Sequence, residues 1–128
     1  MKDLKKQEQE AFENKLREAC EKKAVADHGE EKLKKWTKEF KGLWFLPISN
    51  DDGKIIKLAI MKPITRKTLS YASTKITEEG LYEFLEAGMR GCWVAGDECI
   101  IDDDEYFIPA AQTFNKMMEG YKANLLKR

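Results

Sequence analysis

The chain has no long apolar run, and it contains three cysteines and one histidine. No apolar stretch approaches the roughly 18 residues of a membrane span, and the segment after Met1 lacks the apolar core of a signal peptide. The three cysteines are an odd number, so we expect reduced thiols that pack as small hydrophobic groups. The single histidine, His28, precedes a glycine in a charged stretch, where we expect an exposed turn residue. We therefore expect neither a membrane span nor a disulfide-stabilised secreted domain.

Charge is abundant but balanced, with 23 basic and 23 acidic residues among 128. This balance argues against non-specific binding to nucleic acid and against docking on an anionic membrane. The charges are nevertheless separated along the chain. Residues 54–75 carry six cations and no acid, whereas residues 78–105 carry ten acids and one cation, Arg90. Such segments are expected to pair within the fold, which we favour, or between copies of the chain.

The densest acidic stretch, residues 91–107, contains six carboxylates and two cysteines but no histidine, serine or lysine. It therefore lacks a nucleophile with a neighbouring base, and its spacing does not match a calcium loop. Acids at the start of a helix are already explained by capping and by the helix dipole. We predict no catalytic, cofactor or metal site. The open alternative is a divalent ion held by Asp97, Asp102 and Glu105.

Lysines alternate with aromatic residues between residues 32 and 41, a pattern that nucleic-acid-binding surfaces also show. The lysines are Lys32, Lys34, Lys35, Lys38 and Lys41. At helical spacing, however, Leu33, Trp36 and Phe40 share one side, which predicts a buried face opposite solvated lysines. The pattern thus favours a core helix over a nucleic-acid interface.

Helix-forming residues without glycine or proline predict a long N-terminal helix from Lys2 to about Ala24, with a thin apolar stripe that docks weakly. A second helix is predicted over residues 30–40. Two β-rich runs on either side of residues 50–53, which end in Asp-Gly, predict a β-hairpin. Pro47 places the first of these strands at an edge.

Further helices follow the hairpin. Thr65 is predicted to cap a helix over residues 66–73, and Thr77 the next helix, whose buried side ends at Trp93. Residues 102–104 open the last helix, in which Pro109 occupies the first helical position or kinks the first turn. The apolar stripe of this helix is Phe107, Ala110, Ala111, Phe114, Met117, Met118, Tyr121 and Leu125.

These elements predict a predominantly helical α+β fold with one β-hairpin and an extended charged N-terminal helix. Residues 1–28 form that helix, which either projects or packs on the rest of the chain. Residues 29–128 are predicted to form a single α+β domain.

Three segments resemble the small tail-assembly-chaperone-like proteins of Bacteroides-type phages and prophages. They are residues 60–72 (IMKPITRKTLSYA), 91–98 (GCWVAGDE) and 103–111 (DDEYFIPAA). The resemblance covers about two-thirds of the chain. Ile64, where the pattern tends to have an acidic cap, and Pro109 depart from it.

The resemblance implies a non-enzymatic protein of phage morphogenesis that works by protein–protein contact in the host cytoplasm. Its partners would be the tape-measure or tail-tube protein, or a second copy of itself. Adaptable methionine and aromatic side chains suit such contacts; the alternative for most of them is core packing. The predicted contact residues are Leu4, Phe12, Leu16, Phe114, Met117, Met118 and Tyr121.

Two other functions stay open at this point. One is a structural or cargo component retained in the capsid, neck or tail of the virion. The other is a nucleic-acid-binding accessory protein, which the balanced charge disfavours. The contact hypothesis requires no cofactor.

Overall fold

The computed structural model describes residues 2–76, 80–118 and 125–128. Helices predominate, and their bounds are α1 (Lys2–His28), α2 (Glu30–Phe40), α3 (Arg66–Ser73), α4 (Leu81–Cys92), α5 (Cys99–Asp102) and α6 (Asp104–Met117). The strands are β1 (Trp44–Ser49), β2 (Ile55–Met61) and β3 (Trp93–Gly96). The predicted α+β class, with its hairpin and long charged N-terminal helix, is confirmed.

Contacts between residues divide the chain into two compact units. The first unit contains residues 1–63 and 93–98, and the second unit contains residues 64–92 and 99–128. The predicted boundary at residue 28 stays a prediction.

The sheet of the first unit has the strand order β1-β2-β3, with both pairs antiparallel. The hairpin turn is organised by Asn50, whose side-chain oxygen accepts hydrogen bonds from the backbone N–H groups of Asp52 and Lys54 at 3.1 and 3.0 Å. Gly53 adopts the positive φ of 79° that such a turn needs. Pro47 lies in the edge strand β1, as predicted.

The third strand was not predicted. Trp93 was expected on the buried side of a helix, but α4 ends at Cys92 and Trp93 begins β3. Asp97, the residue after this strand, makes two hydrogen bonds to β2. Its Oδ2 accepts a hydrogen bond from the N–H of Leu58 at 2.9 Å, and its own N–H donates to the carbonyl oxygen of Leu58 at 3.1 Å. A short strand is thereby held in register by two bonds at the residue that follows it.

Helices α1 and α2 pack on β2 to form the core of the first unit. The buried cluster comprises Cys20, Ala24, Leu33, Leu58 and Ile60. Helix α2 has the predicted bounds, and Leu33 is buried while Trp36 and Phe40 are half-buried. The lysines that alternate with these aromatic residues are exposed along α2 and at Lys41, as expected for a core helix with a solvated face.

The second unit contains α3, α4, α5 and α6. Thr65 caps α3 as predicted, since its hydroxyl accepts a hydrogen bond from the N–H of Thr68 at 3.2 Å. Helix α4 packs closely on α3 and α6 at glycines. A Cβ at Gly91 would overlap the Thr68 side chain, and one at Gly88 would lie 3.0 Å from Cε1 of Phe114. The predicted cap at Thr77 lies outside the described residues.

The last helix begins at Asp104, after the short helix α5, close to the predicted start. Pro109 lies inside α6 and not at its first position. Because proline lacks an N–H, the carbonyl of Glu105 loses its helical partner, but both residues are exposed, so water can take that place. The predicted stripe is buried at Phe107, Ala110, Ala111 and Phe114. Leu125 is exposed and lies outside the helix.

Candidate functional site

The N-terminal half of α1 is an exposed helical segment that carries large apolar side chains. Every residue from Asp3 to Lys15 is exposed, including Leu4 at 62% and Phe12 at 65% of the full area of the residue. Large apolar side chains at this exposure gain little from folding, because most of their area stays in water. They are therefore available to a partner.

The same helix is anchored by a row of side chains spaced four residues apart, which forms a ridge on an α-helix. The row is Leu4, Glu8, Phe12, Leu16, Cys20 and Ala24. Burial increases steadily along it, from the exposed Phe12 through the half-buried Leu16 to Cys20, which is 1% exposed, and Ala24. The ridge that holds α1 in the core thus continues beyond the core into solvent.

Cys20 lies at the point where α1 enters the core. Burial of its thiol, with a smaller contribution from the charge of Glu21, raises its pKa from 9.0 to about 11. Both effects disfavour the thiolate. Cys20 is therefore a packing residue with a protonated thiol at neutral pH, as the sequence predicted.

This pKa predicts a loss of stability at alkaline pH. Since the folded protein binds the thiol proton more tightly than the unfolded chain, the stabilisation is full below pH 9 and disappears as the pH rises to about 11. We expect the free energy of unfolding of the wild type, relative to Cys20→Ala, to fall by about 2 kcal/mol over that range. Urea titrations of both proteins at several pH values measure this difference. A constant difference would contradict the prediction.

The predicted contact residues of the last helix are in a different environment. Phe114 is 4% exposed and packs against Gly88, so it is a core residue of the second unit and is not accessible to a partner. Met117 and Met118 are half-buried at the end of α6. Tyr121 lies outside the described residues. Leu4 and Phe12 are thus the predicted contact residues with the greatest exposure.

A shallow groove of about 660 Å³ lies between α3 and α4 in the second unit. It is lined by Lys67, Thr68, Tyr71, Lys75, Glu83, Glu86, Ala87, Arg90 and Gly91. Arg90 is paired with Glu86 and with Asp102, each at 3.5 Å. Within the described part of this unit, no ion pair joins Lys67 or Lys75 to the acids opposite. The predicted pairing of basic and acidic segments is therefore not formed at this groove.

Among the residues that the structure describes, the titratable groups do not form an arrangement with evident acid–base chemistry. His28 is half-buried, with its ring 5.6 Å from that of Trp36, so the expectation of an exposed turn residue was wrong. The Asp97 carboxylate is engaged by the Leu58 N–H. Over residues 2–76, 80–118 and 125–128, no group of three or more His, Cys, Asp or Glu side chains could hold a metal ion.

The comparisons with known proteins do not identify the chain. It matches no family model, no curated protein and no solved structure. Among the described helices, none has the length and apolar character needed to cross a membrane.

Sequence reasoning located the exposed ridge but missed the role of Asp97. The signal for it was present. Gly96-Asp97 follows the short apolar run Trp93–Ala95, and a carboxylate after a positive-φ glycine is well placed to accept a backbone N–H.

Proposed function

We propose that this protein is a non-enzymatic assembly factor of phage morphogenesis that binds a partner helix through the exposed half of α1. The observation that carries the proposal is the ridge of α1, which is buried at Cys20 and Ala24 and about two-thirds exposed at Phe12 and Leu4. A helix with an uncovered apolar ridge can accept the apolar side of a second helix. The resemblance to tail-assembly-chaperone-like proteins supports the phage setting.

The composition of α1 suits reversible contact. Its exposed half contains two large apolar side chains, separated by charged and amide residues. An interface with so few anchors is small, and small interfaces are typical of transient complexes. A tail-assembly chaperone needs this property, because it must release the tape-measure protein when tail-tube subunits replace it. The setting would be the host cytoplasm during assembly.

The variant Phe12→Glu tests the proposal. We expect it to lose most of its co-purification with the tape-measure protein from cells in which the encoding phage assembles, because a carboxylate replaces the main apolar anchor. Its free energy of unfolding should stay within about 0.5 kcal/mol of the wild type, since Phe12 is exposed. Mass spectrometry of the bound proteins gives the first quantity and urea denaturation the second.

Tyr71→Glu provides the matched control. Tyr71 is 61% exposed on α3, so the change introduces the same charge at a similar exposure outside α1. It should bind like the wild type. Equal recovery of the tape-measure protein with Phe12→Glu would contradict the proposal. Mass spectrometry of purified particles distinguishes the related role of a virion component, because a chaperone should be absent from them.

A further inference from the structure

One face of α1 combines its exposed apolar residues with charges of both signs. At 100° per residue, six side chains between residues 4 and 19 fall within an arc of about 100°. They are Leu4, Glu8, Ala11, Phe12, Lys15 and Ala19, and all six are exposed. The side chains that anchor the helix, Cys20 and Ala24, lie outside this arc. The face is therefore uncovered along its whole length.

The face is complementary to a second copy of itself that runs in the opposite direction. Glu8 and Lys15 are equally distant from the midpoint between Ala11 and Phe12, and so are Leu4 and Ala19. When two such helices lie antiparallel around a twofold axis at that midpoint, Glu8 of each copy faces Lys15 of the other. Apolar residues likewise face apolar residues.

At the twofold axis of this arrangement, the sizes of the facing side chains are compatible. Phe12 of one copy meets Phe12 and the small Ala11 of the other, and aromatic pairs add to the energy of apolar burial. A parallel, in-register pair would instead place Glu8 beside Glu8 and Lys15 beside Lys15, which is repulsive. The charges thus select the antiparallel orientation.

The charged side chains of the face have no ion-pair partner among the residues that the structure describes. In the described residues, the ion pairs of α1 are confined to Lys23 and Asp27, at 3.1 Å. Glu8 and Lys15 make no ion pair or hydrogen bond there, so both are available to an incoming helix.

We infer that the partner of this face in the free protein is a second copy of the chain, joined by antiparallel α1–α1 pairing. The inference rests on the proposed function only in using α1 as the contact helix. The dimer would cover Leu4 and Phe12 until a client helix takes the place of the second copy.

Sedimentation of the purified full-length protein over a range of concentrations tests the inference. The paired segment, residues 4–19, is about 24 Å long, so the interface is small and we expect dimers at about 100 µM and above. Added salt should weaken the dimer, because its ion pairs are exposed to solvent. A wild type that stays monomeric up to millimolar concentration would overturn the inference.

Charge reversal identifies the surface and its orientation. Glu8→Lys and Lys15→Glu each place like charges at both ion pairs of the dimer, so each variant alone should dissociate at least about tenfold more readily. Mixed together, the two variants regain both ion pairs and should associate with an affinity close to that of the wild type. Circular dichroism checks that both retain their helix content.

Two other results would overturn the α1–α1 pairing. They are dimers of unchanged affinity in both single variants, and a mixture that associates no better than its components. These measurements use the protein alone. Their failure is therefore separate from failure of the co-purification test with Phe12→Glu, which measures client binding.

Discussion

Replacing Phe114 with alanine should lower the free energy of unfolding by about 3–5 kcal/mol. Phe114 is 4% exposed, and its ring packs over Gly88 where α6 meets α4. Removing the ring leaves a cavity between two helices whose backbones are already close. Since domains of this size are stable by roughly 5–15 kcal/mol, the loss is a large fraction of the total. Urea denaturation followed by circular dichroism measures it.

Phe12→Ala is the matched control for this prediction, because the chemical change is identical and the burial is opposite. With Phe12 exposed to 65%, its loss should change the free energy of unfolding by no more than about 0.5 kcal/mol. The two phenylalanines thus separate core from contact surface. Similar losses at both positions would contradict the assignment of Phe114 to the core and Phe12 to the surface.

The second large effect is expected at Gly96. This residue has a φ of 130°, and a Cβ there would overlap the carbonyl oxygen of Leu58 and lie 2.9 Å from Cα of Ala59. Both atoms belong to backbone, which cannot move aside cheaply. We expect Gly96→Ala to lower the free energy of unfolding by about 2–4 kcal/mol. The hydrogen exchange of the Leu58 and Asp97 amides should accelerate as β3 separates from β2.

Gly53→Ala separates the two causes of this loss, which are the steric overlap of the new Cβ and the left-handed backbone conformation. Gly53 also has a positive φ, 79°, but a Cβ there would have nothing within 4 Å. Its replacement should therefore cost only the left-handed backbone conformation, about 1 kcal/mol. An equal loss at both glycines would mean that the close approach of β3 to Leu58 contributes nothing.

Local signals predicted much of this fold. Helices α2 and α3 have the predicted bounds because each is determined by nearby residues: the side shared by Leu33, Trp36 and Phe40 in one, and the Thr65 cap in the other. The hairpin was predicted from the Asp-Gly turn between two β-rich runs, and the edge position of β1 from Pro47. In each case the necessary information lies within a few residues.

The unpredicted parts depend on residues distant in sequence. Strand β3 is only four residues long, and its pairing with β2 joins Ala59 to Gly96, which a local pattern cannot show. The position of Phe114 is a similar case. A phenylalanine on an amphipathic stripe is equally compatible with a core and with a contact surface, and only the packing of α6 on α4 separates them. For α1, the thin stripe predicted a helix that docks weakly but left open whether it projects or packs, and burial at Cys20 and Ala24 shows that one end packs.

The first unit is built from two separate segments of the chain. After residue 63 the chain builds α3 and α4, returns to supply residues 93–98 to the first unit, and then completes the second unit with α5 and α6. During synthesis, β3 therefore cannot join the sheet until residue 97 has left the ribosome, by which time residues 64–92, about half of the second unit, have also emerged. No single proteolytic cut between the described helices and strands yields two complete units. Neither unit can therefore be obtained complete as one continuous fragment of the chain.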